Sequence, residues 1–481
     1  MTTYFTPETY GAVGDGVADD TRAWQDALDA LPAHGGMILA AGVYKVGQLN
    51  VTKSVRLEFT GGVSGASARL VARDPTGPVL NVVAQGFEAV GLVIASAVTR
   101  TSGAFVRLEN APYFSILNYD LRNPYIGFQL LGSSIGRLAH GQIRNATHSS
   151  VAPGSAGVVI GATQAGACTA VVIDDLVMDT DPPLDAQGQP LPVGVGDMPS
   201  YGIQILESDA VIISNCDIIR SGRDLALMPA AGKVVANTYI HDSYFDTAEY
   251  GVILEPAAGG NVSRTWLENV WTSSHLQNGV LLVGAGDIEG FHAHRLQAEL
   301  NTQNGVLIGS RAVDTWIDYG SFAQNGSSGV AVAPNTRRFK IRGNRIGPHD
   351  HFTANDYGVY VDAGCSDYEI RDNDLTGNTT VGLRDVSLAA TGYVTRNLGY
   401  ATRSAGSTGI VAGATSVTVS HGLASAPPVT GLSITPVSDW AGVSRFWIDS
   451  ASITATQFTI RVNAAPSSTM HFAWQASTEK D

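Results

Sequence analysis

Ile213-Ser-Asn-Cys216-Asp-Ile218 opens a pattern that recurs as far as Leu375: apolar, any, any, small or polar, any, apolar. It returns as Ile240-His-Asp-Ser243-Tyr-Phe245, Trp266-Leu-Glu-Asn269-Val-Trp271 and Phe291-His-Ala-His294-Arg-Leu296. Three more follow: Ile317-Asp-Tyr-Gly320-Ser-Phe322, Ile341-Arg-Gly-Asn344-Arg-Ile346 and Ile370-Arg-Asp-Asn373-Asp-Leu375. Their starts lie 24 to 29 residues apart. A second element keeps the same beat a little further on, in Tyr250-Gly-Val-Ile-Leu254, Asn278-Gly-Val-Leu-Leu282, Asn304-Gly-Val-Leu-Ile308, Ser328-Gly-Val-Ala-Val332 and Tyr357-Gly-Val-Tyr-Val361. Two signals out of phase share one period.

A period of this length means a stacked repeat, and strand chemistry decides which kind. Val252 and Leu254 alternate with Ile253 and Glu255, so the elements are strands. Gly, Asn and Asp stand where each coil must turn, because they tolerate left-handed backbone. Each repeat is one coil of two or three short strands, stacked in parallel. The predicted fold is an all-β, right-handed parallel β-helix, with handedness also expected from the crossover preference. Earlier coils are read at Phe87–Leu92, Ile116–Leu121, Leu138–Ile143 and Ile173–Met178.

Composition agrees. The chain has 481 residues, 54 of them glycine, with 15% charged, which suits a turn-rich β protein larger than one packed core. A net charge of −14 and only five lysines exclude nucleic acid as partner. No apolar run approaches the roughly 18 residues of a membrane span, so no membrane insertion is expected. Cys168, Cys216 and Cys365 are too few for a disulfide framework, and Cys216 falls at an inward turn. Met1-Thr-Thr-Tyr-Phe5 has neither the basic nor the apolar region of a signal peptide. If the protein works outside the cell, something other than a standard export signal is expected to take it there.

At the other end of the argument stands Tyr10-Gly-Ala-Val-Gly-Asp-Gly-Val-Ala-Asp-Asp-Thr21, leading into a helix over 21–31 with Ala23, Trp24, Ala27, Leu28 and Leu31 on one face. Asp15, Asp19 and Asp20 are read as turn and cap carboxylates. Gly35-Gly36 and Val43-Tyr44 follow, with Ala41 where a proline is usual. This block resembles the opening of pectate-lyase-superfamily β-helix proteins, a group that includes many phage tailspike depolymerases. The resemblance implies that the helix plugs the open end of the solenoid. It also implies a bacterial surface polysaccharide (capsule, exopolysaccharide or lipopolysaccharide) as partner, and a homotrimer. An apolar row at Ile253, Leu281, Leu307 and Ala331, which a monomer would leave wet, is expected to be buried between the three chains.

The predicted domains are a cap with first strands at 1–50, the β-helix at 51–399, a linker at 400–409, and a β-sandwich at 410–481, similar to modules on phage tail proteins. Trp440, Phe446, Trp447, Phe458, Phe472 and Trp474 are assigned to the core of that sandwich.

Two insertions break the beat at one phase of the coil, Asp179–Pro199 and Gly347–Asp356, and therefore emerge on one face. They fence a trough at the turn that precedes the Gly-Val strands. Glycoside hydrolysis needs two carboxylates about 5–9.5 Å apart, a spacing that neighbouring coils supply. Asp224 and Glu249 are predicted to face each other as catalytic groups, with Glu207 and Glu255 as further candidates. Arg220, Arg223, Asp246, Tyr250, His275, Gln277 and Glu299 are the predicted substrate-binding residues. A polysaccharide lyase remains open, with Arg220 and Arg223 neutralising a uronate and His275 or Tyr250 as base. A non-catalytic glycan receptor-binding protein is a third reading. No cofactor is required; Asp174, Asp175, Asp179 and Asp181 could assemble a Ca²⁺ site, though turn roles explain them as well. His292 and His294 lack a carboxylate companion by this reading, so zinc is not expected.

Overall fold

The computed structural model describes residues 4–61, 68–161, 166–182, 189–190, 194–387 and 391–479. One coil runs through a Gly-Val strand (Arg223–Leu227), a long strand (Val234–His241) and a short strand (Tyr244–Asp246) before the next Gly-Val strand, Tyr250–Leu254. All strand pairings up to Thr395 are parallel and link one coil to the next. Leu225, Val252, Val280, Val306 and Val330 lie in register down one column, and all are buried. Burying a Val or Leu fully is worth about 1.5–3 kcal/mol. The interior is therefore one continuous apolar column, stacked without a gap from Trp24 to Leu383.

The turn between long and short strand falls on Asn215, Asp242, Asn269, Arg295, Tyr319, Gly343 and Asp372, all with φ between 50° and 66°. Asn, Asp and Gly enter that region cheaply, whereas Arg295 and Tyr319 show the stack imposing it on residues that do not.

Register corrects the framing of two repeats. Ile240 pairs with Leu267, Leu267 with Ala293, and Ala293 with Ile317. The hexads therefore start at Leu267 and Ala293, not at Trp266 and Phe291. With a side-chain period of two, a slip of one residue moves a side chain to the other face. Trp266 and Trp271 accordingly point outward. His294 is a strand residue rather than a turn residue, and it has a carboxylate companion, Glu268, at 2.8 Å. His292 stacks on Trp316 at 4.4 Å.

The coils begin earlier than Phe87. Tyr4–Phe5 pairs with Gly36–Ala40, which pairs with Val55–Phe59. The helix Thr21–Asp29 covers this end, with Trp24 against the rings of Tyr44 and Phe59 at 5.2 and 6.1 Å. The acidic residues beside it hold turns: Asp15 accepts from the amides of Val17 and Ala18, and Asp20 from those of Val13 and Gly14. Where proline is usual, the amide of Ala41 donates to the Tyr44 hydroxyl, which also receives Gly42 and donates to Glu8.

The segment read as a linker is a strand. Arg403–Ile410 pairs antiparallel with Met470–Ser477, so the C-terminal sandwich begins there. Two three-stranded antiparallel sheets enclose Phe458, Phe472 and Trp474. Trp440 and Trp447 are 45% and 43% exposed and do not belong to that core; Phe446 is half-buried beside Phe472. The apolar row on the Gly-Val sheet is also not as expected. Ile253 (2% exposed), Leu281 (7%) and Ala331 (9%) are already covered within one chain, with Tyr201, Met228 and Tyr250 packed over the cluster around Ile253. Only Leu307 is half-buried, so the row by itself does not call for a partner.

Candidate active-site groove

The short strands Asp217–Ile219, Tyr244–Asp246, Trp271–Ser273, Gln297–Glu299, Ser321–Ala323 and Arg345–Ile346 lie side by side in register. Their inward residues, Ile218, Phe245, Thr272, Ala298, Phe322 and Ile346, are buried. Alternation then sends two columns outward. One is Asp217, Tyr244, Trp271, Gln297, Ser321 and Arg345; the other includes Asp246, Ser273 and Glu299.

Tyr244, Trp271, Gln297, Ser321 and Arg345 of the first column, with Glu299 of the second, floor a groove of about 820 Å³, and Asp246 stands one coil beyond Ser273 in the column of Glu299. Asn215, Asp242 and Asn269 form one edge, and His349, Asp350 and Phe352 the other. Tyr244 and Trp271 meet edge to face, with ring centres 5.5 Å apart, inside it. Such rings offer flat apolar surface with a polar tip, the surface a sugar ring presents in complement. The later insertion thus walls the groove with its His349–Phe352 segment. Residues 183–188 and 191–193 of the earlier insertion lie outside the described residues. The groove crosses the short strands from coil to coil, one element before the turn at which the trough was expected.

Glu299 is buried at the groove wall. Its Oε1 lies 3.0 Å from His349 Nε2. The other ring nitrogen, Nδ1, faces the Gly347 carbonyl at 3.0 Å, and Ser321 Oγ is 2.7 Å from Nε2. Burial pushes the Glu299 carboxyl up, and the His349 hydrogen bond draws it back. Asp217 is also pushed up, first by burial and then by the charges of Asp246 and Asp179. Asp246 accepts from Ser273 Oγ at 2.8 Å. Asp246 and Glu299 share a column two coils apart, so their backbones are about 9.6 Å apart at ~4.8 Å per coil.

Of the predicted site residues, only Asp246 and Glu299 stand on these strands. Asp224 is corrected outright. It aligns with Gly251, not Tyr250, and points into the solenoid, fully buried. There it accepts from Ser221 at 2.9 Å and meets His275 Nε2 at 3.2 Å, and His275 is buried as well. Neither can touch a substrate. Glycine makes the room: a Cβ on Gly251 would come within 2.7 Å of the His275 ring.

Glu207 and Glu255 stand at the far edge of the Gly-Val sheet in ion pairs, with Lys233 at 2.8 Å and Arg223 at 3.2 Å. Arg223 also covers the Tyr201 ring, and Tyr250 is half-buried beside Ile253. Arg220 is bound to Asp179 at 2.7 Å. Gln277 accepts from Gln303, and Glu249 sits half-buried in the turn, outside the groove lining. The four candidate calcium ligands diverge: Asp174 goes to Arg137, Asp175 to His140, Asp179 to Arg220 and Asp181 to Asn145. Among the described residues no three His, Cys, Asp or Glu side chains converge as a metal site.

Sequence reasoning missed Asp217, Tyr244, Trp271, Gln297, Ser321, Arg345 and His349. The first six all occupy the fifth position of the hexad once it is framed by the true register, so the signal was present. His349 came from the insertion, where no periodicity guides a reading.

A model of the periplasmic copper-binding protein family NosD matches residues 189–397. A capsule KN3-specific depolymerase of Klebsiella phage KN3-1 is 61% identical over 33 residues, which is 7% of this chain and 4% of that protein. Among solved structures, a tailspike variant of E. coli bacteriophage HK620, in complex with a hexasaccharide, superposes with TM-score 0.58 at 11% identity, over 98% of this chain and 93% of that one. The fold is that of the phage tailspikes. Tailspike protein 3 of bacteriophage CBA120 gives TM-score 0.58 at 11% identity, over 83% of this chain and 62% of its own. Outside phages, the A-module of the Azotobacter vinelandii mannuronan C-5 epimerase AlgE6 gives 0.57 at 14%, over 77% and 98%. No helix among the described residues is long and apolar enough to cross a membrane.

Proposed function

We propose that this tailspike-like chain depolymerises a bacterial surface polysaccharide by glycoside hydrolysis in the short-strand groove. The observation that carries the reading is the buried Glu299, its carboxyl pushed up by burial, two coils from Asp246 and beside the Tyr244–Trp271 pair. Glu299 gives its proton to the leaving glycosidic oxygen as the C–O bond breaks. Asp246 takes a proton from the water that attacks the sugar carbon from the other side, and solvent returns the two carboxyls to their starting states. A backbone spacing of about 9.6 Å lets the carboxyl groups reach the roughly 6.5–9.5 Å window that admits a water, so inversion is the expected stereochemistry.

Hydrolysis is favoured over β-elimination by charge. Asp242, Glu299 and Asp350 line the groove, and Arg345 is the one Arg or Lys among the lining residues. A uronate at the cleavage point would meet three acidic side chains against one cation, a balance that disfavours the charge neutralisation its elimination requires. Incubation with a panel of capsules and lipopolysaccharides tests this, read by new reducing ends and by absorbance of unsaturated uronate. New reducing ends without that absorbance support hydrolysis, and with it the chain is a lyase. Binding without any cleavage across the panel makes it a receptor-binding protein. Homotrimeric assembly on a phage tail belongs to the same proposal, by likeness to the tailspikes, and a monomer in light scattering at micromolar concentration would remove it.

A further inference from the structure

His349 is carried by the later insertion, yet it reaches back to Glu299, two coils earlier. Its hydrogen bonds limit where protons can sit. The Gly347 carbonyl can only accept, so Nδ1 carries a hydrogen. That leaves Nε2 facing Glu299 Oε1 at 3.0 Å. A bare imidazole nitrogen and a carboxylate oxygen at that distance would repel, in a site where both side chains are buried. One proton on the line between them removes the conflict, whether it rests on the oxygen or on the nitrogen. The Ser321 hydroxyl, 2.7 Å from Nε2, suits both arrangements because it can donate or accept.

We propose that His349 and Glu299 hold one proton between them, so that His349 is a positioning residue that offers the groove's proton donor a second seat for its proton. The proposal rests on the hydrolytic reading of the groove, but its physical core does not. The other polar groups near the pair are Ser321, Asp350, Arg345 and the Trp271 N–H, which favours the charged form of Glu299, with the Phe352 ring packed on the imidazole. Asp350 adds a negative charge that favours retention of the proton, and Arg345 acts the other way. With the histidine present the pair passes through three protonation states: two protons, one shared, none. Without it, Glu299 has a single step and lacks the Nε2 acceptor that supports its protonated form.

Two experiments test this. The first follows the ¹⁵N shifts of His349 in the full chain across pH, in wild type and in Glu299→Gln. The expected result is that Nδ1 stays protonated throughout, while Nε2 titrates and does so about 1 pH unit or more lower in the variant, which lacks the neighbouring charge. Equal titration in both proteins overturns the proposal, and this readout needs no turnover. The second compares the pH dependence of kcat for wild type and His349→Gln on a polysaccharide the protein cleaves. The alkaline limb should move to lower pH. A uniform drop at every pH would mean that His349 only shapes the loop, and would overturn the proposal. Should His349→Gln fail to fold, the shift measurement on Glu299→Gln still decides. Should no glycan be cleaved while Nε2 titrates as expected, the functional reading fails and the shared proton stands.

Discussion

The interior of the solenoid at Asp224–His275 and the groove wall at Glu299–His349 carry the same chemistry at nearly the same distance, 3.2 and 3.0 Å. Both pairs are buried, and in both a carboxylate faces Nε2 of an imidazole whose Nδ1 is spoken for. Only the direction differs. Asp224 lies at a glycine column facing inward, and its partner continues into a file of amides: His275 Nδ1 meets Asn301, which donates to Asn325, which donates to Asn355, which donates to Asn378. Glu299 lies on an outward column beside aromatic rings. Strand parity, not residue type, separates a structural pair from one that can reach a substrate.

The comparison can be broken most forcefully through activity. Glu299→Gln and Asp246→Asn are expected to lower kcat by about 10²-fold or more, since each removes a proton-transfer group, with thermal unfolding unchanged. Asp224→Asn should leave kcat within error of wild type. If Asp224→Asn instead abolishes turnover of a well-folded protein, the inner pair is the functional one.

Stability sharpens the same contrast. Asp224→Ala leaves His275 and Ser221 without their buried partner, and a loss of about 3–5 kcal/mol is expected in chemical denaturation. Asp224→Asn should cost little near neutral pH, because an amide can donate to Nε2 and accept from Ser221, extending the amide file by one member. Burial pushes Asp224 up to about 7 from 3.8, with His275 drawing it down. The folded state therefore holds a proton that the unfolded chain has released. Its contribution is present below 3.8 and is lost as pH rises through about 7. Melting temperatures measured from pH 4 to 8 should thus move progressively in favour of Asp224→Asn.

Smaller effects follow. Trp271→Ala should raise KM several-fold, up to about tenfold, through loss of a ring worth about 0.5–1.5 kcal/mol, with kcat little changed. Glu207→Gln and Glu255→Gln weaken partly buried ion pairs on the other sheet while keeping a hydrogen-bonding amide in place, and should change stability by about 1 kcal/mol, with no effect on turnover. A large kinetic effect from either would relocate the site to the Gly-Val sheet.

The solenoid, its capping helix and its sandwich were legible because period and alternation survive without knowledge of contacts. The site was less so. Asp246 and Glu299 were read as ligand-binding residues, but Asp224 was aligned one residue out, and that slip turned an inward side chain into an outward one. The frame placed on Trp266 failed for a similar reason, because Trp266 and Trp271 are apolar residues on the outer face. The frame on Phe291 slipped by two residues along the inner face, where Phe291 and Leu296 are the larger apolar side chains and Ala293 and Ala298 the true frame. Trp271 was lost to the core by the error at Trp266, and with it the column that floors the groove.

The file of amides has a consequence for how such a protein changes length. Each member holds the next at one coil's rise, about 4.8 Å, so the stack behaves as a ruler graduated in whole coils. A coil inserted between Asn301 and Asn378 would have to bring its own asparagine and its own glycine opposite, or interrupt the file. A coil added before Ser221 carries no such condition. Lengthening of the groove is therefore easier from its Asp217 end than from its Glu299 end, and the reach of a substrate chain would be adjusted in steps there.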